Sequence, residues 1–329
     1  MSIDRIAVIG GGAWGTALAQ VAARDGRETL LWALEDDVVS AVNAIHENPI
    51  YLRGQKLSPA IRATGNLSEL AGCDVWLVVT PAQHMRAVLE TAPVEGRPLV
   101  LCSKGIEEGS GELLHKVARQ ACPDAPVAVL SGPTFAHEVA AGLPTAVTLA
   151  AEDHGLAERL RDRIARSTFR IYLSDDVVGA EIGGAVKNVL AIACGVVEGA
   201  GLGQNARAAL IARGFAEMTR FGLASGARRE TLTGLSGFGD LVLTCSSTSS
   251  RNFSLGKGIG EGGSAAELMA DRKTVAEGAF TAPVLDRITR QQGVDMPIVA
   301  SVAKLLSGQA SVRDVLEELL SRPPRLEAH

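Results

Sequence analysis

A chain of 329 residues with 47% hydrophobic content can bury one large core or two moderate ones, and two domains is the better expectation. The formal net charge of −5 argues against a nucleic-acid surface, and the five cysteines (Cys73, Cys102, Cys122, Cys194, Cys245), none in a CxxC pair, read as buried thiols in a reducing cytoplasm. Only about four residues precede the first apolar run, and the longest apolar stretch is cut by Lys187, Asn188 and glycines, so neither a signal peptide nor a membrane span is expected.

The first element is a short apolar strand, Ile3 to Gly10, which runs straight into Gly10-Gly11-Gly12-Ala13-Trp14-Gly15 and a helical stretch from Thr16 to Arg24. This is a GxGxxG pattern with strand before it and helix after it. Gly10 permits the tight turn, Gly12 lets a pyrophosphate approach the backbone, and Gly15 allows close packing of helix on strand. A dinucleotide is the expected ligand, against the plainer reading of a glycine-rich turn that binds nothing. Thr29 to Ala33 is the second strand. Glu35 stands twenty residues after Gly15, about where an acid holds the adenosine ribose hydroxyls. Asp36 and Asp37 are close enough to confuse the register, and helix capping is the competing role for one of these acids. His46 to Ser58 is a polar, irregular excursion leading to Ile61 to Thr64, and its lone His46 receives no catalytic role.

Val75 to Thr80, Leu99 to Cys102 and Val127 to Leu130 are buried strands followed by Pro81, by Ser103-Lys104-Gly105 and by Ser131-Gly132-Pro133-Thr134. The carboxyl ends of parallel strands are where doubly wound sheets bind ligands, which makes Lys104 a candidate for the cleft. Ala146 to Ala150 and Phe169 to Leu173 extend the sheet. The fold class is therefore α/β: a Rossmann-type dinucleotide-binding domain over residues 1–180, followed by an all-α substrate domain over 181–329.

After Glu181 the strand signals disappear. The stretch Glu181 to Gly222 opens with a helix that is apolar on almost every side and carries one lysine, Lys187, beside Asn188. Desolvation among Ala185, Val186, Leu190 and Ala191 would lower its pKa into the range useful for proton exchange; a lysine that snorkels to the surface is the alternative. Glu198, about 16 Å further along the axis, is too far to pair with it. Thr233 to Gly239 leads into Asp240, and Cys245 to Arg251, CSSTSSR, is followed by Asn252. Hydroxyls, a guanidinium and an amide just before a helix suit a phosphate, and a polar loop with an N-cap is the bland version of the same residues. Val275 to Gly278 and Pro297 to Leu306 continue the helical material.

Taken together, GGGAWGTALA at 10 to 19, SKGIE at 103 to 107, SGPTFAHEVAAGLPTA at 131 to 146, GGAVKNVLAIACGVVEG at 183 to 199 and TGLSGFGDLVLTCSSTSSRN at 233 to 252 resemble the bacterial-type NAD(P)-dependent glycerol-3-phosphate dehydrogenases over nearly the whole length. The resemblance implies hydride transfer between NAD or NADP and the pair dihydroxyacetone phosphate and sn-glycerol 3-phosphate, supplying the glycerol phosphate backbone of phospholipids in the cytoplasm. A homodimer is the expected assembly, with no metal site and no nucleic-acid partner. By residue, it makes Lys187 the proton acceptor in alcohol oxidation. It puts Lys104, Gly132, Thr134, Asp240, Ser250, Arg251 and Asn252 on the substrate, and Ala13, Trp14, Lys104, Ala136, Arg251, Val275 and Glu277 along the cofactor.

Lys104 near the carbonyl oxygen would depress the Lys187 pKa further, and Asp240, if close, would oppose that. Family members carry a basic residue just after the second strand, where Leu34 and Glu35 stand here, so NADH is expected to be weakly preferred. Arg53, in the place of a usual proline, is a candidate to return positive charge to the ribose. The rival readings are a related 3-hydroxy acid or sugar acid phosphate dehydrogenase, and a non-catalytic NAD-binding regulator in which Lys187 is structural.

Overall fold

The computed structural model describes residues 3–270 and 276–323. Eight apolar segments pair into one sheet: β1 (Ile6–Ile9), β2 (Thr29–Trp32), β3 (Ile61–Thr64), β4 (Val75–Val78), β5 (Leu99–Leu101), β6 (Val127–Ser131), β7 (Thr145–Ala151) and β8 (Phe169–Ser174). Their order across the sheet is β3-β2-β1-β4-β5-β6-β7-β8. Every residue of β1, β2, β4, β5 and β6 is buried, because helices cover both faces. The chain steps outward from β1 to β3 and then returns to the other side of β1 for β4, which leaves a crevice at the carboxyl ends of β1 and β4.

The last two strands extend the sheet as expected but run against the other six, since β6 pairs with β7 antiparallel and β7 with β8 parallel. The reason lies in the connection. Between β6 and β7 there is only the six-residue helix Ala136–Ala141, which rises about 9 Å. It cannot carry the chain back along the sheet, and Gly142, left-handed at φ 85°, turns it directly into the returning strand.

The strands end with β8, and the described residues beyond it form helices and turns. The helix Val177–Gly199 starts four residues before the Glu181 read from the sequence, because the Asp176 side chain caps it by accepting from Gly179 N at 2.8 Å. It is long and apolar enough to cross a membrane by length and composition, yet 94% of its most apolar window is buried inside the protein. Other helices wrap it on all sides, and glycines set how close they come. A Cβ on Gly195 or Gly199 would lie 2.1 Å from the carbonyl oxygens of Phe253 and Lys257, and one on Gly256 would lie 1.9 Å from that of Ile192. These contacts seat the helix Arg251–Gly260 directly on the central helix, backbone against backbone.

Candidate active site

Strand ends and helix starts converge on a cavity of about 710 Å³. One wall is the glycine turn. Gly10 has φ +124°, and a Cβ there would lie 2.9 Å from the Val79 carbonyl; a Cβ on Gly15 would lie 1.9 Å from Gly10 O. Gly12 differs from both, since a Cβ there would meet nothing within 4 Å, so its bare backbone faces the open cavity. The helix Ala13–Ala23 begins at this point without a side-chain cap, its first N–H groups left for an anion. Gly11, to which the sequence reading gave no role, is also required: its Cβ would fall 2.4 Å from that of Ala33.

The opposite wall carries the charged groups. Lys187 is buried, its side chain 8% exposed, and its Nζ donates to Asp240 Oδ1 at 2.7 Å and Thr244 Oγ1 at 2.8 Å. Lys104 Nζ donates to the other oxygen, Asp240 Oδ2, at 2.5 Å and to Gly132 O at 3.3 Å. One enclosed carboxylate thus separates two ammonium groups that both line the cavity. The approach of Asp240 to Lys187 depends on glycine. The π-helical turn Leu235–Gly239 packs onto the central helix where a Cβ on Gly183 would lie 2.2 Å from Ser236 O, one turn before Lys187. Burial lowers the Lys187 pKa to about 8; the Asp240 carboxylate pulls it upward and the Lys104 ammonium downward, so burial prevails over the ion pair.

Beside this cluster the helix Arg251–Gly260 points its N-terminus into the cavity. Ser250 caps it by accepting from Phe253 N at 3.3 Å, so the residue is both an N-cap and a wall residue. Asn252 is held in place: its Nδ2 donates to Asn188 Oδ1 at 3.0 Å and its Oδ1 accepts from Gly278 N at 2.9 Å.

Of the residues singled out in the sequence, Gly10, Gly12, Ala13, Trp14, Gly15, Leu34, Glu35, Lys104, Thr134, Ala136, Lys187, Ser250, Arg251, Asn252 and Glu277 all line this cavity. Gly132 and Asp240 stand behind the wall, Asp240 fully buried with both oxygens taken by lysines, and so hold Lys104 and Lys187 from the far side. Val275 lies outside the described residues. Arg53 does not reach the cavity; its Nε donates to Pro49 O at 2.7 Å at the surface. Of the acids after the second strand, Glu35 lines the cavity and Asp36 opens the next helix. The sequence reading passed over Thr244 and Tyr51. Thr244 was findable, because Asp240 and Thr244 stand four apart at the start of a helix and share a face.

A dinucleotide fits this wall by a test internal to the structure. Trp14 Nε1, Thr80 Oγ1 and Glu277 Oε2 are buried atoms without a hydrogen-bond partner among the described residues, and all three residues line the cavity. Burial pushes the Glu277 carboxyl up to about 7, which leaves it ready to donate or accept a hydrogen bond from an enclosed polar ligand.

Residues 5–157 match the model of the NAD-dependent glycerol-3-phosphate dehydrogenase N-terminus and residues 176–317 that of its C-terminus. A glycerol-3-phosphate dehydrogenase [NAD(P)+] of Erythrobacter litoralis is 66% identical, the alignment covering 98% of this chain and 97% of that one. One from Novosphingobium aromaticivorans is 64% identical over 97% and 96%. The crystal structure of glycerol-3-phosphate dehydrogenase from Coxiella burnetii superposes with a TM-score of 0.92 at 38% identity, covering 97% of this chain and 99% of that chain.

Proposed function

This chain belongs to the NAD-dependent glycerol-3-phosphate dehydrogenase family, and from that premise we propose how its residues divide the work of the reaction. The enzyme interconverts dihydroxyacetone phosphate and sn-glycerol 3-phosphate with NAD(P)H, a reaction that serves phospholipid synthesis. The five cysteines, free in the structure, suit a cytoplasmic setting. The glycine turn, Trp14, Thr80 and Glu277 hold the nicotinamide cofactor, which supplies the hydride.

Lys187 moves the proton. Its ammonium has three N–H groups; two are spent on Asp240 and Thr244, and the third is left for the substrate oxygen. In reduction it donates to the ketone oxygen, and in oxidation its neutral amine removes the hydroxyl proton. Lys104 adds a second positive charge where alkoxide character develops, and Asp240 lets two ammonium groups share one small site. Arg251 and the N-terminus of its helix receive the phosphate, with Ser250 and Asn252 beside them. The observation that carries this reading is the Lys104–Asp240–Lys187 cluster set next to that helix start within one cavity. Consumption of NADH with dihydroxyacetone phosphate, and none with unphosphorylated ketones, tests it against the 3-hydroxy acid and regulator alternatives.

Two expected results follow from these roles. With the Lys187 pKa near 8, kcat/KM for glycerol 3-phosphate oxidation should rise as pH increases through about 8, because the base must be neutral; kcat/KM for ketone reduction should fall through the same range. A profile in either direction with no limb there would remove Lys187 from the proton transfer. Arg251→Lys should raise KM for dihydroxyacetone phosphate about tenfold, since a point charge cannot reproduce a bidentate contact and one charge-assisted hydrogen bond is worth about 1.5–3 kcal/mol. An unaltered KM in that variant would move the phosphate elsewhere.

A further inference from the structure

The excursion loop between β2 and β3 is anchored in a way that no reading of the reaction requires. Asn48, 0% exposed, donates from Nδ2 to Gly11 O and to Thr16 Oγ1, both at 2.8 Å, and accepts from Tyr51 N at 3.1 Å through Oδ1. The loop, the glycine turn and the first helix are thereby one hydrogen-bonded unit. Tyr51 also lines the cavity, and its hydroxyl donates to Glu35 Oε1 at 2.7 Å. Glu35 Oε2 takes no hydrogen bond from the described residues. Leu34, Trp32, Tyr51 and Leu52, which adjoin Glu35 in the lining, are uncharged, and the cations of the loop, Arg53 and Lys56, are turned away to Pro49 O and Ile45 O.

We infer that Tyr51 is a specificity-determining positioning residue: by tying up one oxygen of Glu35 from a loop pinned through Asn48, it fixes the other to accept from a free ribose 2′-hydroxyl and to repel a 2′-phosphate. A flexible, half-exposed glutamate would swing away from a phosphate at little cost; one held by a buried anchor cannot. The carboxylate in turn keeps the phenol protonated, raising its pKa, so the donor persists at any pH where the enzyme works. The pair thus converts a weak surface charge effect into a fixed one.

This inference rests on the cavity being the dinucleotide site, and calorimetric titration with ADP-ribose and 2′-phospho-ADP-ribose separates the two claims. The unmodified enzyme should bind ADP-ribose more tightly. Tyr51→Phe, which keeps the ring, should narrow the ratio of the two dissociation constants about threefold to tenfold, the range for one lost hydrogen bond. In a Glu35→Gln background the same substitution should leave the ratio where Glu35→Gln alone puts it. A ratio that shifts with Glu35→Gln but not with Tyr51→Phe overturns the role of Tyr51 and leaves the site reading intact. A ratio favouring the 2′-phosphate in the unmodified enzyme overturns the role of the pair, and failure of both ligands to bind overturns the site itself.

Discussion

Lys187→Ala is expected to lower kcat by about 10² or more in both directions, the range for losing a positioned general acid or base. The expectation rests on what would remain. Thr244 and Asp240 lose their shared donor, but Asp240 keeps Lys104 at 2.5 Å, so no carboxylate is stranded and the fold should survive. Lys104 remains bonded to the other oxygen of Asp240 and to Gly132 O, so the site keeps one positive charge but loses the group placed for the proton. NADH affinity should barely change, because the glycine turn, Thr80 and Glu277 lie on other elements. Steady-state kcat together with fluorescence titration of NADH checks this. Lys187→Met, which fills the same apolar channel, should behave alike. Preserved turnover with lost NADH binding would overturn the assignment.

Asp240→Asn is expected to cost both stability and activity, for one electrostatic reason. The amide has nearly the same shape, yet it leaves two ammonium groups facing each other with no anion between them. Breaking a buried pair from one side costs about 3–5 kcal/mol, and the cost should fall toward the lower end because Lys104 is 16% exposed and can relax into water. The catalytic effect has a defined sign. Asp240 raises the Lys187 pKa against burial, so its loss must lower that pKa below about 8. At neutral pH the lysine then spends more of its time as a free amine, and ketone reduction loses part of its acid. The kcat/KM for reduction should fall, by about tenfold for each unit that the Lys187 pKa drops below the assay pH. A thermal melt and a pH profile of the variant test the two halves separately. A pH limb that stays near 8 would show that Asp240 does not set the protonation of Lys187.

For Lys187, the apolar run on both sides of it was readable in the sequence, and so was the consequence that burial would lower its pKa. Asp240 was nameable as the group that would oppose that shift, but its proximity was not readable, because the carboxylate stands 53 residues away in sequence and is held 2.7 Å from the ammonium only by the fold. The approach depends on Gly183 sitting against Ser236 O, a contact between two backbones that no local pattern announces. The close crossing of the helices is a partial exception, since Gly195 and Gly199 stand four apart on one helix and Gly256 and Gly260 four apart on the other. That spacing was open to inspection as a close-packing signal.

The sequence by itself determined the strands, the glycine turn, the helical second half and the burial of the lysine, because each rests on neighbours a few residues away: alternation of buried runs, the small size of glycine, desolvation within one helix. Only the tertiary structure decided the rest. It reversed β7 and β8, because a six-residue helix cannot carry the chain back. It withdrew Asp240 behind the lysines and turned Arg53 away from the ribose end. It also brought Tyr51 onto Glu35. Each of these is a contact between distant segments, and its geometry is set by packing and loop closure rather than by the identity of the residues that happen to meet.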